Sequence, residues 1–290
     1  MVYLLANLIG QQVLTLVVSL VIALLILWAF KARSYFKCPV AEVEKPSLSF
    51  GEVFGVFVIY FGIPFIIPSL ISFFLFFFFS ELKGFYLTPD SSFKGWLSLI
   101  TMSLLLIGTM IYIRFLSEKT RLTVLGERFK VNGFTQHMKD IGIGIISWLA
   151  SFPVIIVVSH FFALVLTLLG VTGEEQLAMQ YLKYTMNFPI LFLVSSIFIA
   201  LVVPIIEEII FRGFLLNWLK KYCPQKIAII FNSLIFAFFH FSFSQGWGNL
   251  ELLPALFTLS CFLCFIYLRQ RSILAPIALH ATFNSITVIM

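Results

Sequence analysis

The chain has 290 residues, of which 61% are hydrophobic and only 11% charged, with a net charge of +6 and a mean hydropathy of +1.06. A water-soluble domain carries about 25% charged residues, so this much apolar side chain needs lipid as its solvent. Intrinsic disorder, and nucleic-acid binding as the main role, are excluded with it.

Lipid cannot hydrogen-bond a bare backbone, so a spanning segment is a helix of roughly 17–25 apolar residues. Eight segments qualify in chain order, at about 3–30, 53–79, 95–113, 141–169, 188–219, 226–243, 252–268 and 272–289. The first is too long for the apolar region of a cleavable signal peptide, and no Lys or Arg precedes Lys31; it reads as a span. The run from Phe73 to Phe79 in the second reads as lipid-facing bulk. The fifth is long and interrupted by Pro204, which removes one helix hydrogen bond and predicts a kink just before two carboxylates. The last three are short. The fold class is therefore all-α, a polytopic membrane protein of about eight transmembrane helices.

Charge placement orients the bundle. The loops after segments one, three, five and seven hold 15 of the 19 Lys and Arg residues, and the alternate loops hold only Lys83, Lys94 and Lys183. The positive-inside rule puts those basic loops in the cytoplasm and both termini outside. The longest basic loop, 114–139, reads as a solvated connection facing lipid headgroups, with attraction to anionic lipid in addition. Cys38, Cys223, Cys261 and Cys264 make no disulfide framework. Cys261 and Cys264 have CxxC spacing but lie in an apolar run, where they read as small hydrophobes.

One basic residue, Arg212, falls inside a span. Ionisable side chains at mid-bilayer cost about 2.5–3.5 kcal/mol even on the lenient insertion scale, face the bundle interior and mark function. Besides Arg212 the intramembrane group comprises Glu207, Glu208, His160, His240 and His280, with Asn284 as a polar neighbour. At about 1.5 Å per helical residue, three helices place all but His160 in one slab, roughly 12–21 Å from the cytoplasmic face. His160 counts to the outer surface and reads as a hydrogen-bonded bundle histidine. Glu208 and Arg212 are i,i+4 and can pair, whereas Glu207 lies about 140° from Arg212. One carboxylate is thus held by arginine and one left free. His280 with Asn284 shares a face, as do Asn232, Phe236 and His240. Asn232, Ser233, Ser195 and Ser196 read as polar glue between helices, a role that does not call for two adjacent carboxylates.

The chemistry on offer is proton transfer and oxyanion stabilisation. A carboxylate with an imidazole can hold and deprotonate a water, and Asn and His can donate to a developing oxyanion. No Ser or Cys sits in a nucleophile motif, and HExxH is absent. Water is the expected nucleophile, which points to hydrolysis of an amide.

Three motifs, PIIEEIIFRGFLL (204–216), FAFFH (236–240) and HATFN (280–284), carry a resemblance. In their order and types they resemble EExxxR, FxxxH and HxxxN of the CAAX-processing and bacteriocin-processing (CPBP) intramembrane glutamic proteases, which include the type II CAAX prenyl endopeptidases. The resemblance covers about residues 186–290. It implies a multi-pass membrane hydrolase, a glutamate-dependent endopeptidase with its active site inside the C-terminal helix bundle. Residues 1–185 would be N-terminal membrane helices of about four spans, and 186–290 the catalytic bundle. Carried over to matching positions, Glu207 and His240 would activate water, and His280 and Asn284 would form the oxyanion site. Glu208, Arg212 and Phe236 would support them. The expected cofactor is none; in a zinc-dependent variant Glu207, His240 and His280 would be the ligands. The expected partners are the lipid bilayer and a membrane-anchored peptide or protein, such as a prenylated CAAX-type substrate, reached from the cytoplasmic side. Two other classes use the same residues: a proton- or ion-coupled transporter, which would show paired broken helices in both halves, and a non-catalytic immunity or scaffold protein.

Overall fold

The computed structural model describes residues 2–37, 47–78, 92–126 and 133–289, with side chains from residue 9. Cys38, Lys45, Lys83, Arg128 and Lys130 lie outside the described residues. The architecture is all-α, and among the described residues six helices are long and apolar enough to cross a membrane. In chain order the helices are α1 (Val2–Ala32), α2 (Phe50–Phe78), α3 (Phe93–Phe115), α4 (Glu118–Leu125), α5 (Phe134–Leu168), α6 (Leu177–Thr185), α7 (Pro189–Leu219), α8 (Gln225–Phe238), α9 (Gly248–Gln270) and α10 (Leu274–Ile289). α8 and α10 are shorter apolar helices. The sixth expected span, 226–243, ends as a helix at Phe238. At 14 residues α8 is about 21 Å long, less than the roughly 30 Å of a hydrocarbon core. His240 therefore sits just beyond its end, at depth, instead of within a full span.

Local chemistry sets the helix starts. Ser49 and Glu52 form a reciprocal capping box at α2: Glu52 N–H donates to Ser49 Oγ and Ser49 N–H to the Glu52 carboxylate, which satisfies two orphan donors. The hydroxyl of Ser117 accepts from Thr120 N–H and caps α4. Lipid-facing surfaces are frankly apolar, with Phe65, Phe77 and Phe78 on α2 and Leu24, Leu25 and Trp28 on α1 exposed.

α7 is the axis of the bundle. All eight residues of Ile209–Leu216 are buried, and its apolar members join one core with Val53 and Val56 of α2, Leu105 and Ile113 of α3, Val124 of α4, Phe236 of α8 and Cys264 of α9. The stretch carries Arg212, a charge that lipid cannot accommodate and that protein must surround. A second core lies where α5 meets α9 and α10, around Ala150, Ile155, Leu263 and Leu279. There Gly144 brings α5 against the backbone of α10, so close that a Cβ would meet the carbonyl oxygen of Ala275 and, at 2.8 Å, the Cβ of Ala278. Lipid tails are as apolar as leucine, so helices in a membrane associate through close approach at small residues.

α7 is not a uniform α-helix. It is π-helical over Phe198–Val202 and again over Ile209–Leu216. The interruption expected at Pro204 takes this form: the chain widens into a π-turn immediately before the proline and resumes α geometry at Val203–Glu208. Such π segments occur disproportionately at functional sites.

The Gly144 contact predicts a position-specific cost. Gly144→Val should lower the unfolding free energy of the detergent-solubilised protein by about 1–3 kcal/mol through overpacking. Gly142→Val, two residues away where a Cβ meets nothing within 4 Å, should leave thermal unfolding unchanged or raise it.

Candidate active site

Glu207 and Glu208 close the short α segment between the two π stretches of α7. Both are buried, Glu208 completely. Glu207 faces the protein: its Oε1 is 3.7 Å from His240 Nε2 and its Oε2 is 3.8 Å from His280 Nε2. Both separations exceed a direct hydrogen bond and keep the free carboxylate between two imidazoles. α8 delivers His240 and α10 delivers His280.

Each imidazole is oriented by its other nitrogen. His240 Nδ1 is 2.9 Å from the carbonyl oxygen of Phe236. A carbonyl only accepts, so Nδ1 carries a proton and Nε2 is the nitrogen turned toward Glu207. His280 Nδ1 is 2.7 Å from Glu208 Oε1. Glu208 Oε1 also accepts from Arg212 Nη1 at 3.0 Å, and Arg212 Nη2 donates to the hydroxyl of Ser260 on α9 at 2.7 Å. The i,i+4 pair of the sequence is thus present, and one carboxylate oxygen anchors both a guanidinium and an imidazole.

Phe236 is fully buried and forms the floor of the cluster. The Arg212 guanidinium lies 4.5 Å over its ring, a cation–π contact. The same ring packs 4.9 Å from the His240 ring and 6.0 Å from the His280 ring. One phenylalanine therefore sets the spacing of three polar side chains from three helices.

Asn284 lies one turn beyond His280 and donates from Nδ2 to the carbonyl of Ile199 at 2.9 Å. That carbonyl lies in the first π stretch. There Val203 N–H reaches back five residues to Phe198, and the same step would assign Ile199 to residue 204, a proline without an N–H. Asn284 thus supplies the donor that proline removes, and its second amide hydrogen stays available.

The polar-glue reading fits three of its four residues. Asn232 Nδ2 crosses from α8 to the carbonyl of Phe211 at 2.7 Å, Ser233 faces Cys264 of α9, and Ser195 meets the hydroxyl of Tyr181 on α6. Ser196 instead donates to the carbonyl of Phe192 within its own helix. His160 is half-buried on α5 and, among the described residues, makes no hydrogen bond, so it is not the bonded bundle histidine expected. Cys261 and Cys264 are free thiols, and Cys264 donates to Asn232 Oδ1.

Two neighbours carried no signal in the sequence. Ser260 is one of several serines in apolar runs. Tyr60 of α2 packs against Phe239, within electrostatic reach of Glu207, from a helix with no motif. Among the described residues no group of His, Cys, Asp or Glu is arranged to hold a metal ion.

These elements define an all-α, multi-pass integral membrane protein with a protein-walled carboxylate–imidazole cluster. Residues 189–286 match the family described as Type II CAAX prenyl endopeptidase Rce1-like, the family whose motifs the sequence carries and a family of CAAX-processing membrane proteases. No curated protein and no solved structure matches the chain significantly.

Removing one partner of a buried ion pair strands the other charge, at about 3–5 kcal/mol. Arg212→Gln should therefore lower unfolding stability by that order. Adding Glu208→Gln to it should recover a large part of the loss, read by thermal unfolding of the single and double variants.

Proposed function

We propose that the chain is a glutamate-dependent intramembrane endopeptidase in which Glu207 and His240 activate water. The observation that supports this reading best is the placement of Glu207, buried and flanked at 3.7 and 3.8 Å by two imidazole nitrogens. With Nδ1–H of His240 given to Phe236, its Nε2 and Glu207 Oε1 are both acceptors. A water between them donates one hydrogen to each and turns its oxygen lone pairs to the substrate carbonyl. Attack forms the new C–O bond while the water proton passes to the carboxylate–imidazole pair. The tetrahedral oxyanion accepts hydrogen bonds from His280 Nε2–H and the remaining Asn284 amide hydrogen. To donate from Nε2 while Nδ1–H is given to Glu208, His280 works as the imidazolium, with Glu208 as its counter-charge. Collapse breaks the C–N bond as the held proton moves to the departing amine; the second water proton passes from the new carboxyl group through the Glu207–His240 pair to that amine, and the products are a carboxylate and an ammonium.

The substrate in this reading is a membrane-anchored peptide or protein, of which a prenylated CAAX-type C-terminus is the specific candidate, reached from the cytoplasmic side. The mechanism needs no metal, since the acceptors and donors above complete the proton path. In the zinc version Glu207, His240 and His280 would be the ligands.

The test is peptide release in liposomes. Glu207→Gln should lower turnover at least about a thousandfold, within the range that removal of a general base and its electrostatics costs, with thermal unfolding preserved. Wild-type activity should survive a strong zinc chelator. Turnover retained by the Gln variant overturns the proposal, and loss to chelator with rescue by zinc replaces its metal-free form.

A further inference from the structure

The junction of α3 and α4 forms an open cavity of about 510 Å³ lined by Met110, Ile113, Arg114, Glu118, Arg121, Leu122 and Leu125. Two guanidiniums and one carboxylate leave its mouth net cationic, and four of its seven lining residues are apolar. Arg114 is exposed and Arg121 half-buried. Among the described residues neither arginine makes an ion pair with a carboxylate, so both charges are open to a ligand. The apolar wall continues up the lipid-facing side of α3 through the exposed Met110, Ile111 and Ile107. The cavity is therefore amphipathic along the bundle axis, with cationic groups at the end of the span and hydrocarbon above them.

The site is also rigid. Thr120 donates to Glu52 of α2 at 3.1 Å. The carbonyl of Thr123 accepts from Tyr267 of α9 at 2.9 Å and from Asn217 of α7 at 3.0 Å. Ile273 N–H, just before α10, donates to the carbonyl of Leu125 at 3.0 Å. A helix held by four neighbours presents its charges with little ordering cost on binding. The same end of the bundle carries Lys220, Lys221, Arg269 and Arg271, the face that the positive-inside rule puts against anionic headgroups.

We propose that this cavity is a binding site for an anionic glycerophospholipid, its phosphate held by Arg114 and Arg121 and the start of an acyl chain lying on Met110, Ile113, Leu122 and Leu125. A free anion would use the guanidiniums and leave the apolar wall unfilled. A zwitterionic lipid would bring its own cation to a net cationic mouth. The opposite side of α4 touches the second π stretch of α7, where a Cβ on Gly213 would stand 2.8 Å from Val124. Lipid bound at α4 thus braces the helix that carries Glu207 and Arg212.

The experiment uses the purified full-length protein in neutral detergent. Native mass spectrometry counts retained dioleoylphosphatidylglycerol against dioleoylphosphatidylcholine, and thermal unfolding is followed in the same titrations. One phosphatidylglycerol should be retained per chain at least tenfold more tightly than phosphatidylcholine, with a rise in Tm. Arg114→Gln with Arg121→Gln should abolish the preference, Arg114→Lys with Arg121→Lys should keep most of it, and Lys183→Gln on α6 should leave it intact. Arg121→Gln alone, with unfolding without lipid unchanged, should give an intermediate loss, which separates lost binding from misfolding. Equal retention of the two lipids, an unchanged preference in the double Gln variant, or displacement by glycerol 3-phosphate at the concentration effective for whole lipid would each overturn the proposal.

Discussion

Two carboxylates and a guanidinium in the middle of a membrane protein can persist only if protein groups neutralise them, because lipid offers neither counter-charge nor hydrogen bond. Glu208 meets that demand with Arg212 from its own helix and His280 from α10, while Arg212 reaches Ser260 on α9 and lies over Phe236 of α8. Satisfying one ion pair therefore draws four helices to a common depth. The position of Glu207 follows: Glu208 Oε1 takes both the guanidinium and the far nitrogen of His280, and Glu207 is left as the carboxylate facing two imidazoles. The residues that hold this cluster together also join the helices of the bundle.

The backbone carries a parallel constraint. Pro204 removes a donor where the helix can least spare one, directly before the carboxylates. α7 answers with a π-turn over Phe198–Val202, and Asn284 crosses from α10 to satisfy Ile199. The second π stretch is braced by Asn232 at Phe211 and by Asn217 at Gly213. Side-chain donors from α10, from α8 and from α7 itself satisfy carbonyls of these wide turns, which lets irregular backbone sit at depth.

Much of the site was legible because charge is so rare in this chain. Glu207, Glu208, Arg212, His240 and His280 stand out against apolar spans, the i,i+4 rule pairs Glu208 with Arg212, and counting rise from the basic loops brings three helices to one depth. Tyr60 and Ser260 were not legible. A tyrosine in an aromatic-rich helix and a serine in an apolar run look like many others, and only packing distinguishes them. His160 shows the converse, a polar residue whose type suggested a side-chain hydrogen bond that the packing of α5 among the described residues does not provide.

Composition, hydropathy and spacing by themselves determined an all-α membrane chain, the approximate spans, and which acid the arginine would hold, because these depend on transfer energies and on helix periodicity within one segment. Tertiary structure decided the rest: that His280 is shared between Glu208 and the face of Glu207, that Phe236 sets the spacing, and that α8 ends at Phe238, just short of His240. It also decided that α7 absorbs its proline by widening. Each of these is a contact between helices distant in the chain, and no local pattern encodes which nitrogen of an imidazole meets which oxygen.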